Sequence, residues 1–202
     1  MNAAVTRARG LDASDLARIA IFAALIAVLG LPGAINVGAV PITAQTLGVM
    51  LAGAVLGARR GALSVIVVLA LVAIGLPLLS GGRGGLGVFV APSAGYLIGW
   101  VFGAFVIGLI VRAGANRPTW WRVALGAVVG GILVIYLFGI PVQSALTQLP
   151  LGETIIASAV FLPGDLIKAA LTVVITMALW RAYPRAFAWS TSPTQASVNA
   201  AR

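Results

Sequence analysis

An all-α integral membrane protein, a bundle of six transmembrane helices with both termini cytoplasmic, is the fold class this sequence predicts. Three observations carry that expectation. Of 202 residues, 61% are hydrophobic and only 8% charged, against roughly 25% charged in a soluble domain. Six apolar stretches approach the ~20 residues that cross a hydrocarbon core at ~1.5 Å each. The basic residues between them fall almost entirely on one side.

The first span covers residues 16–31 and stops at Pro32-Gly33. The second opens at Pro41, a residue suited to the first helical position, and covers 41–58. Only Arg59 and Arg60 separate it from the third, 61–79, so the two are expected to form a tight antiparallel hairpin. The fourth covers 92–111 and the fifth 121–140. The sixth is placed at 163–181, because Pro163-Gly164 marks a break. That leaves 142–162 as a long, partly apolar outer connection able to dip back toward the membrane, where non-helical backbone survives only inside protein or beside a water-filled cavity. Residues 1–15 are read as a cytoplasmic segment, 16–182 as the membrane domain and 183–202, rich in Ser, Thr, Ala and Asn, as a disordered cytoplasmic tail.

Orientation follows from the arginines. Arg7, Arg9, Arg18, Arg59, Arg60, Arg112, Arg117, Arg122, Arg181, Arg185 and Arg202, eleven of thirteen basic residues, share one side. The positive-inside rule makes that side cytoplasmic. Trp120, Trp121, Trp180 and Trp189 fall at the same boundary, where indole favours the headgroup layer. The first span also resembles a signal peptide, since Val37-Gly38-Ala39 follow it. Cleavage there would leave an odd number of spans, so an uncleaved helix is expected.

The basic balance of thirteen against four points to an anionic membrane surface and not to nucleic acid, because the charges sit between apolar runs. Neither cysteine nor histidine occurs. Disulfides, thiolate and imidazole metal ligands, and Ser/His/Asp triads are thereby removed, and no metal site is expected. The chain also lacks G-x-x-x-x-G-K-[ST], so it carries no phosphate-binding loop of an ATPase.

Four charges remain on the outer half: Arg83, Glu153, Asp165 and Lys168. Asp165 and Lys168 stand three apart, which places them on one helix face near a helix start. Each costs about 2.5 to 3.5 kcal/mol on insertion scales when inside a span. Such a cost marks either a ligand site or a self-neutralising ion pair that only orients the helix. The segment Gly81-Gly82-Arg83-Gly84-Gly85-Leu86-Gly87 holds five glycines in seven residues. Residues 82–87 match G-x-G-x-x-G by letter, but no βαβ unit surrounds them and no acidic residue follows at the required distance. The segment either presents bare backbone N–H groups, Gly82 and Gly84 included, with Arg83 to an anion, or is a flexible outer turn. Val88-Phe89-Val90 behind it suggests a lid packed on the bundle. Thr43, Gln45 and Thr46 on the second span and Ser93 and Tyr96 on the fourth lie at the same depth. A mostly apolar pocket with a few converging polar groups suits a small ligand.

Small residues repeat at spacing four: Gly95, Gly99 and Gly103; Gly53 and Gly57; Gly126 and Gly130. They permit close helix contact. Ala20 and Ala24 form a smooth face on the first span, suited to packing within the bundle or to docking on a separate membrane subunit.

Three stretches together resemble the BioY family, the substrate-binding membrane subunits of energy-coupling-factor biotin transporters. They are Val40-Pro41-Ile42-Thr43-Ala44-Gln45-Thr46-Leu47; Gly81 to Phe89 with Pro92 and Gly95-Tyr96-Leu97; and Phe161-Leu162-Pro163-Gly164-Asp165-Leu166-Ile167-Lys168-Ala169. The resemblance covers residues 16–179. It implies six helices in a bacterial cytoplasmic membrane, biotin bound near the outer face, and a first-helix Ala-x-x-x-Ala face, here Ala20 and Ala24, that meets a transmembrane coupling subunit. ATP hydrolysis would then come from separate ABC-type ATPase subunits. Biotin is cargo on this reading, and no cofactor is expected.

Biotin chemistry suits the residues. Asp165 can accept from the two ureido N–H groups, and Lys168 can donate to the ureido carbonyl. Arg83 then takes the valerate carboxylate, with Lys168 on the carboxylate as the alternative assignment. Tyr96, Gln45, Thr43, Gly82, Gly84 and Phe89 complete the expected site. The other readings are the same architecture for another small vitamin or nucleobase-like solute, an intramembrane enzyme using Asp165 with Glu153 or Lys168, and an assembly subunit without a ligand.

Overall fold

The computed structural model describes residues 11–31, 35–37, 40–113 and 117–187. Arg7, Arg9, Arg202, Trp189, Pro32-Gly33 and Gly38-Ala39 lie outside the described residues, as do all but 183–187 of the expected tail.

Helix α1, Ala13–Val28, starts on an Asp12 cap whose carboxylate accepts the Asp15 N–H at 2.8 Å. That bond first, and the Ser14 hydroxyl second, hold the Asp12 carboxyl below its ordinary range. A two-stranded antiparallel ribbon follows, β1 (Ile35–Val37) and β2 (Val40–Ile42). Pro41, expected to open the second helix, instead pairs with Asn36 inside this ribbon. In a two-stranded ribbon every strand is an edge, and an edge tolerates the missing amide of proline. Helix α2, Gln45–Leu56, is therefore only 12 residues long. It is apolar all round and buried on nearly every side, the signature of a central helix.

Gly57 joins α2 directly to α3, Ala58–Ala73. Its φ of +81° reverses the chain within one residue, which only glycine does without strain. The tight hairpin expected around Arg59 and Arg60 thus forms, with both arginines inside the first turn of α3. A loop and a 3-10 turn, Leu86–Val90, lead to α4, Ala94–Arg112.

The next helix is continuous over Trp120–Thr147, 28 residues. It comprises α5 (Trp120–Val128), a π-turn (Val129–Val134) and α6 (Ile135–Thr147). The helix of the fifth span continues past residue 140, with Pro141 inside α6. Close packing of Gly95 under Phe138 and Val142 holds α6 against α4 on both sides of that proline, and a bundle tolerates such a proline because neighbours support the freed carbonyl. Residues 142–162 are likewise not an irregular connection. After a short turn, α7 (Leu151–Ser158) runs through a 3-10 turn (Ala159–Phe161) into α8 (Leu162–Ala182). Pro163 sits in the first turn of α8, where its absent N–H is not missed.

Among the described residues, three continuous helices are long and apolar enough to cross a membrane: Ala94–Arg112, Trp120–Thr147 and Leu151–Ala182. Helix α4 packs against α2, α3, α5 and α6, and α2 also packs against α1 and α8. The glycine ridges make these contacts. A Cβ on Gly103 would fall 2.6 Å from the Gly130 carbonyl, and one on Gly53 2.5 Å from that of Ala104. Large apolar side chains cover the outside, among them Ile98, Phe102, Leu109, Leu137 and Val174. Water would not tolerate so extensive an apolar surface, and hydrocarbon would.

At the arginine end, buried Asp15 pairs with Arg60 at 2.7 Å and with Arg18 at 3.8 Å. Arg18 also donates to the Arg185 carbonyl at 3.1 Å. Residues 183–187, expected as part of the disordered tail, fold back here. Phe187 is 1% exposed among Val55, Leu56, Phe22 and Trp180. Burying that ring contributes more than the solvation of a short polar tail.

Candidate ligand-binding site

A cavity enclosing about 620 Å³ of atom-free space, its open mouth included, lies at the end opposite the arginine hairpin. Strand β2 and helices α2, α4, α6 and α8 line it together with the loop after α3. Its wall is mainly apolar: Val40, Ile42, Leu79, Leu97, Trp100, Ile135 and Phe161. Tyr96 stands edge-on to both Tyr136 and Phe161, with centroids 6.2 and 6.4 Å apart.

The polar groups on this wall form two sets. In the first, Lys168 Nζ donates to Asp165 Oδ1 at 2.9 Å and to Thr46 Oγ1 at 2.9 Å, while the Tyr136 hydroxyl donates to Asp165 Oδ2 at 2.7 Å. Asp165 is 6% exposed. Two charges this deep are tolerated because each faces the other and both have further hydrogen-bond partners. The pair is neutral as a unit. It keeps one N–H on Lys168 and a lone pair on each oxygen of Asp165 for a ligand.

The second set is Arg83. Its Nε donates to the Ser80 carbonyl at 3.2 Å and Nη1 to Ser93 Oγ at 3.3 Å. No carboxylate pairs with Arg83 among the described residues. A guanidinium with five donors therefore faces the cavity with spare N–H groups and an uncompensated charge. The loop fold puts it there. Leu79 and Arg83 exchange backbone hydrogen bonds across Gly81 and Gly82, whose φ values are +77° and +70°.

Six of the nine residues expected at a ligand line the cavity: Asp165, Lys168, Arg83, Tyr96, Gln45 and Thr43. Gln45 lines it with an amide already engaged. Its Nε2 donates to the carbonyls of Ile26 and Leu78 at 3.2 and 3.0 Å, and its Oε1 accepts the Ser80 N–H at 3.1 Å. One side chain thus fastens the end of α1 and the Arg83 loop to α2. Thr43 Oγ1 accepts the Gln45 N–H at 3.3 Å. Tyr96 presents its ring, while its hydroxyl donates to Gln143 Oε1 at 2.7 Å and meets Ser158 at 3.2 Å. Gly82, Gly84 and Phe89 do not line the cavity. Gly82 is exposed, Gly84 passes tightly under the Leu76 carbonyl, and Phe89 packs on the apolar core.

Tyr136 is the residue that sequence reasoning missed. The glycine ridge of Gly126 and Gly130 points elsewhere on a regular helix, and the π-turn intervenes. Fitting one extra residue into a turn moves every later side chain about 100° around the axis. A π-turn leaves no sequence signal beyond the adjacent Gly130-Gly131. On α1, Ala20 and Ala24 are exposed beside Leu16, Ile21 and Val28, on the face turned away from α2 and α3.

Replacing Gln45 by leucine strands two carbonyls and one N–H in a dry setting, at about 1 to 3 kcal/mol for an unsatisfied group. The expected result is a stability loss of about 3 kcal/mol or more, read as a lower Tm in detergent. An unchanged Tm would show that the clasp is dispensable.

The BioY family model matches residues 1–185. This chain belongs to the BioY family. It is 49% identical over 177 residues to the biotin transporter BioY of Rhizobium etli, spanning 84% of this chain and 95% of that relative. It is 48% identical over 178 residues to the biotin transporter BioY of Rhodobacter capsulatus, spanning 83% and 94%. Among solved structures it matches the S-component for biotin of an ECF-type ABC transporter at 36% identity and a TM-score of 0.80, covering 88% of this chain and 100% of that one. This BioY member thus shares its helical fold with a solved S-component.

Proposed function

We propose that this chain binds biotin with high affinity and mediates its uptake, as the substrate-specific component of an energy-coupling-factor transporter. The observation that carries this reading is the pairing, in one apolar cavity, of a neutral Asp165–Lys168 unit with the uncompensated Arg83. Biotin has the matching halves: a neutral ureido ring with two donors and one acceptor, and a carboxylate on an apolar chain. Asp165 accepts from the ureido N–H groups, Lys168 donates to the ureido carbonyl and Arg83 holds the valerate. The relatives' names and the solved S-component support the same ligand.

On this reading the chain crosses a bacterial cytoplasmic membrane six times, with lipid against its apolar outside. The arginine end is cytoplasmic, the cavity opens outward and both termini lie inside. Ala20 and Ala24, exposed on α1, meet a transmembrane coupling subunit, and separate ABC-type ATPase subunits supply the energy. The chain is a binder and not an enzyme; it neither uses a cofactor nor contacts nucleic acid.

Purified protein titrated with biotin tests the proposal. Free biotin at a hundredfold excess over Kd stabilises the folded state by about 2.7 kcal/mol, so a clear rise in Tm is expected. No rise with biotin, or an equal rise with a competing vitamin or nucleobase, would refute it.

A further inference from the structure

The π-turn that precedes Tyr136 lies against two neighbouring helices, with no room for a side chain at either of its glycines. A Cβ on Gly131 would fall 2.5 Å from Met50 Cε of α2, and one on Gly130 would fall 2.6 Å from the Gly103 carbonyl of α4. Two residues beyond the turn, the Tyr136 hydroxyl bridges from α6 to α8 at 2.7 Å from Asp165 Oδ2. π-turns recur at functional sites, and this one turns the whole of α6, Tyr136 included, about the axis without ending the helix.

We propose that Tyr136 is a positioning residue for recognition of the ureido ring, a role that rests on the biotin reading above. Lys168, itself braced by Thr46, occupies one carboxylate oxygen and Tyr136 the other. With a donor on each side, the carboxylate is held at a fixed rotation about χ2. One lone pair on each oxygen remains for the two ureido N–H groups. A phenol suits the second donor because it adds no charge, so the Asp165–Lys168 unit stays neutral toward a neutral ring. Without the hydroxyl, the carboxylate is free to turn both oxygens toward Lys168, and the ligand must then compete with that ion pair.

The test titrates wild type, Tyr136→Phe, Asp165→Asn and the double variant with biotin and with biotin methylated on one ureido nitrogen. Phenylalanine keeps the ring contact with Tyr96, and ligand-free Tm reports folding of each variant. Tyr136→Phe is expected to weaken biotin binding about tenfold, the scale of one hydrogen bond to a charged group. It should reduce discrimination against the methylated analogue by a similar factor. In the Asp165→Asn background it should change affinity by less than about twofold, because its effect passes through that carboxylate. A merely structural role predicts equal losses for both ligands and losses that add to those of Asp165→Asn; either outcome overturns the proposal. Unchanged biotin affinity in Tyr136→Phe overturns it while leaving the biotin reading intact. Absence of biotin binding by wild type overturns both.

Discussion

Asp165→Asn lowers biotin affinity by at least tenfold, and about a hundredfold if both ureido bonds weaken, while the bundle stays folded. Asparagine is isosteric. Its carbonyl oxygen can still accept from Lys168, and its amide can donate to the Tyr136 oxygen, so the neighbours at 2.9 and 2.7 Å keep a partner. Two features change. An N–H group now confronts a ureido N–H, and Lys168 loses its counter-charge, leaving the cavity with a second positive charge beside Arg83. Isothermal titration on protein that remains monodisperse, with the ligand-free Tm measured beside it, separates lost recognition from the stability lost when Lys168 has no counter-charge. Wild-type affinity in this variant would remove Asp165 from the site.

Gly103→Val has the largest expected effect on the bundle itself. The backbones of α4 and the π-turn meet at Gly103 and Gly130, where each Cβ would fall 2.6 Å from the other's carbonyl oxygen. Backbone cannot swing aside as a side-chain end can, so a branched side chain must part the helices. Overpacking of this kind costs about 3 kcal/mol or more, enough to abolish monodisperse protein in detergent. Parting α4 from the π-turn would also withdraw Tyr136 from Asp165. Gly152→Ala is the control: nothing lies within 4 Å of its Cβ position in α7, and alanine favours a helix over glycine by up to about 1 kcal/mol. A Gly103→Val protein as stable as wild type would mean that the ridge is not a packing surface.

How far the molecule is legible in its sequence depends on the range of the interaction. The Arg59-Arg60 hairpin, the Gly95-Gly99-Gly103 ridge and the Asp165–Lys168 pair are local patterns, and the structure carries each of them, whereas Gly57 makes the turn after α2 and Gly130 falls in the π-turn. The helices extend past the expected end of the fifth span and before the expected start of the sixth for the opposite reason. Pro141 and Pro163 are strong local breakers in water, but here Gly95 packing supports one and a first-turn position accommodates the other. Pro41 pairs with Asn36 only five residues back, in a hairpin that a search for helical spacing does not reveal.

Composition alone dictates the solvent and the cost of the polar groups: apolar stretches need hydrocarbon, and the few buried charges on them must meet a partner or a ligand. Helical spacing puts Asp165 and Lys168 on one face, since three residues make about one helical turn. Which polar groups the fold itself uses follows from the packing of its helices. Gln45 binds carbonyls 19 and 33 residues away, Tyr96 binds Gln143, and Tyr136 reaches Asp165 across 29 residues by way of a π-turn. Such bonds follow from how helices pack and where one slips register, and a hydroxyl or amide has the same letter in the chain whether it faces a ligand or a neighbouring carbonyl.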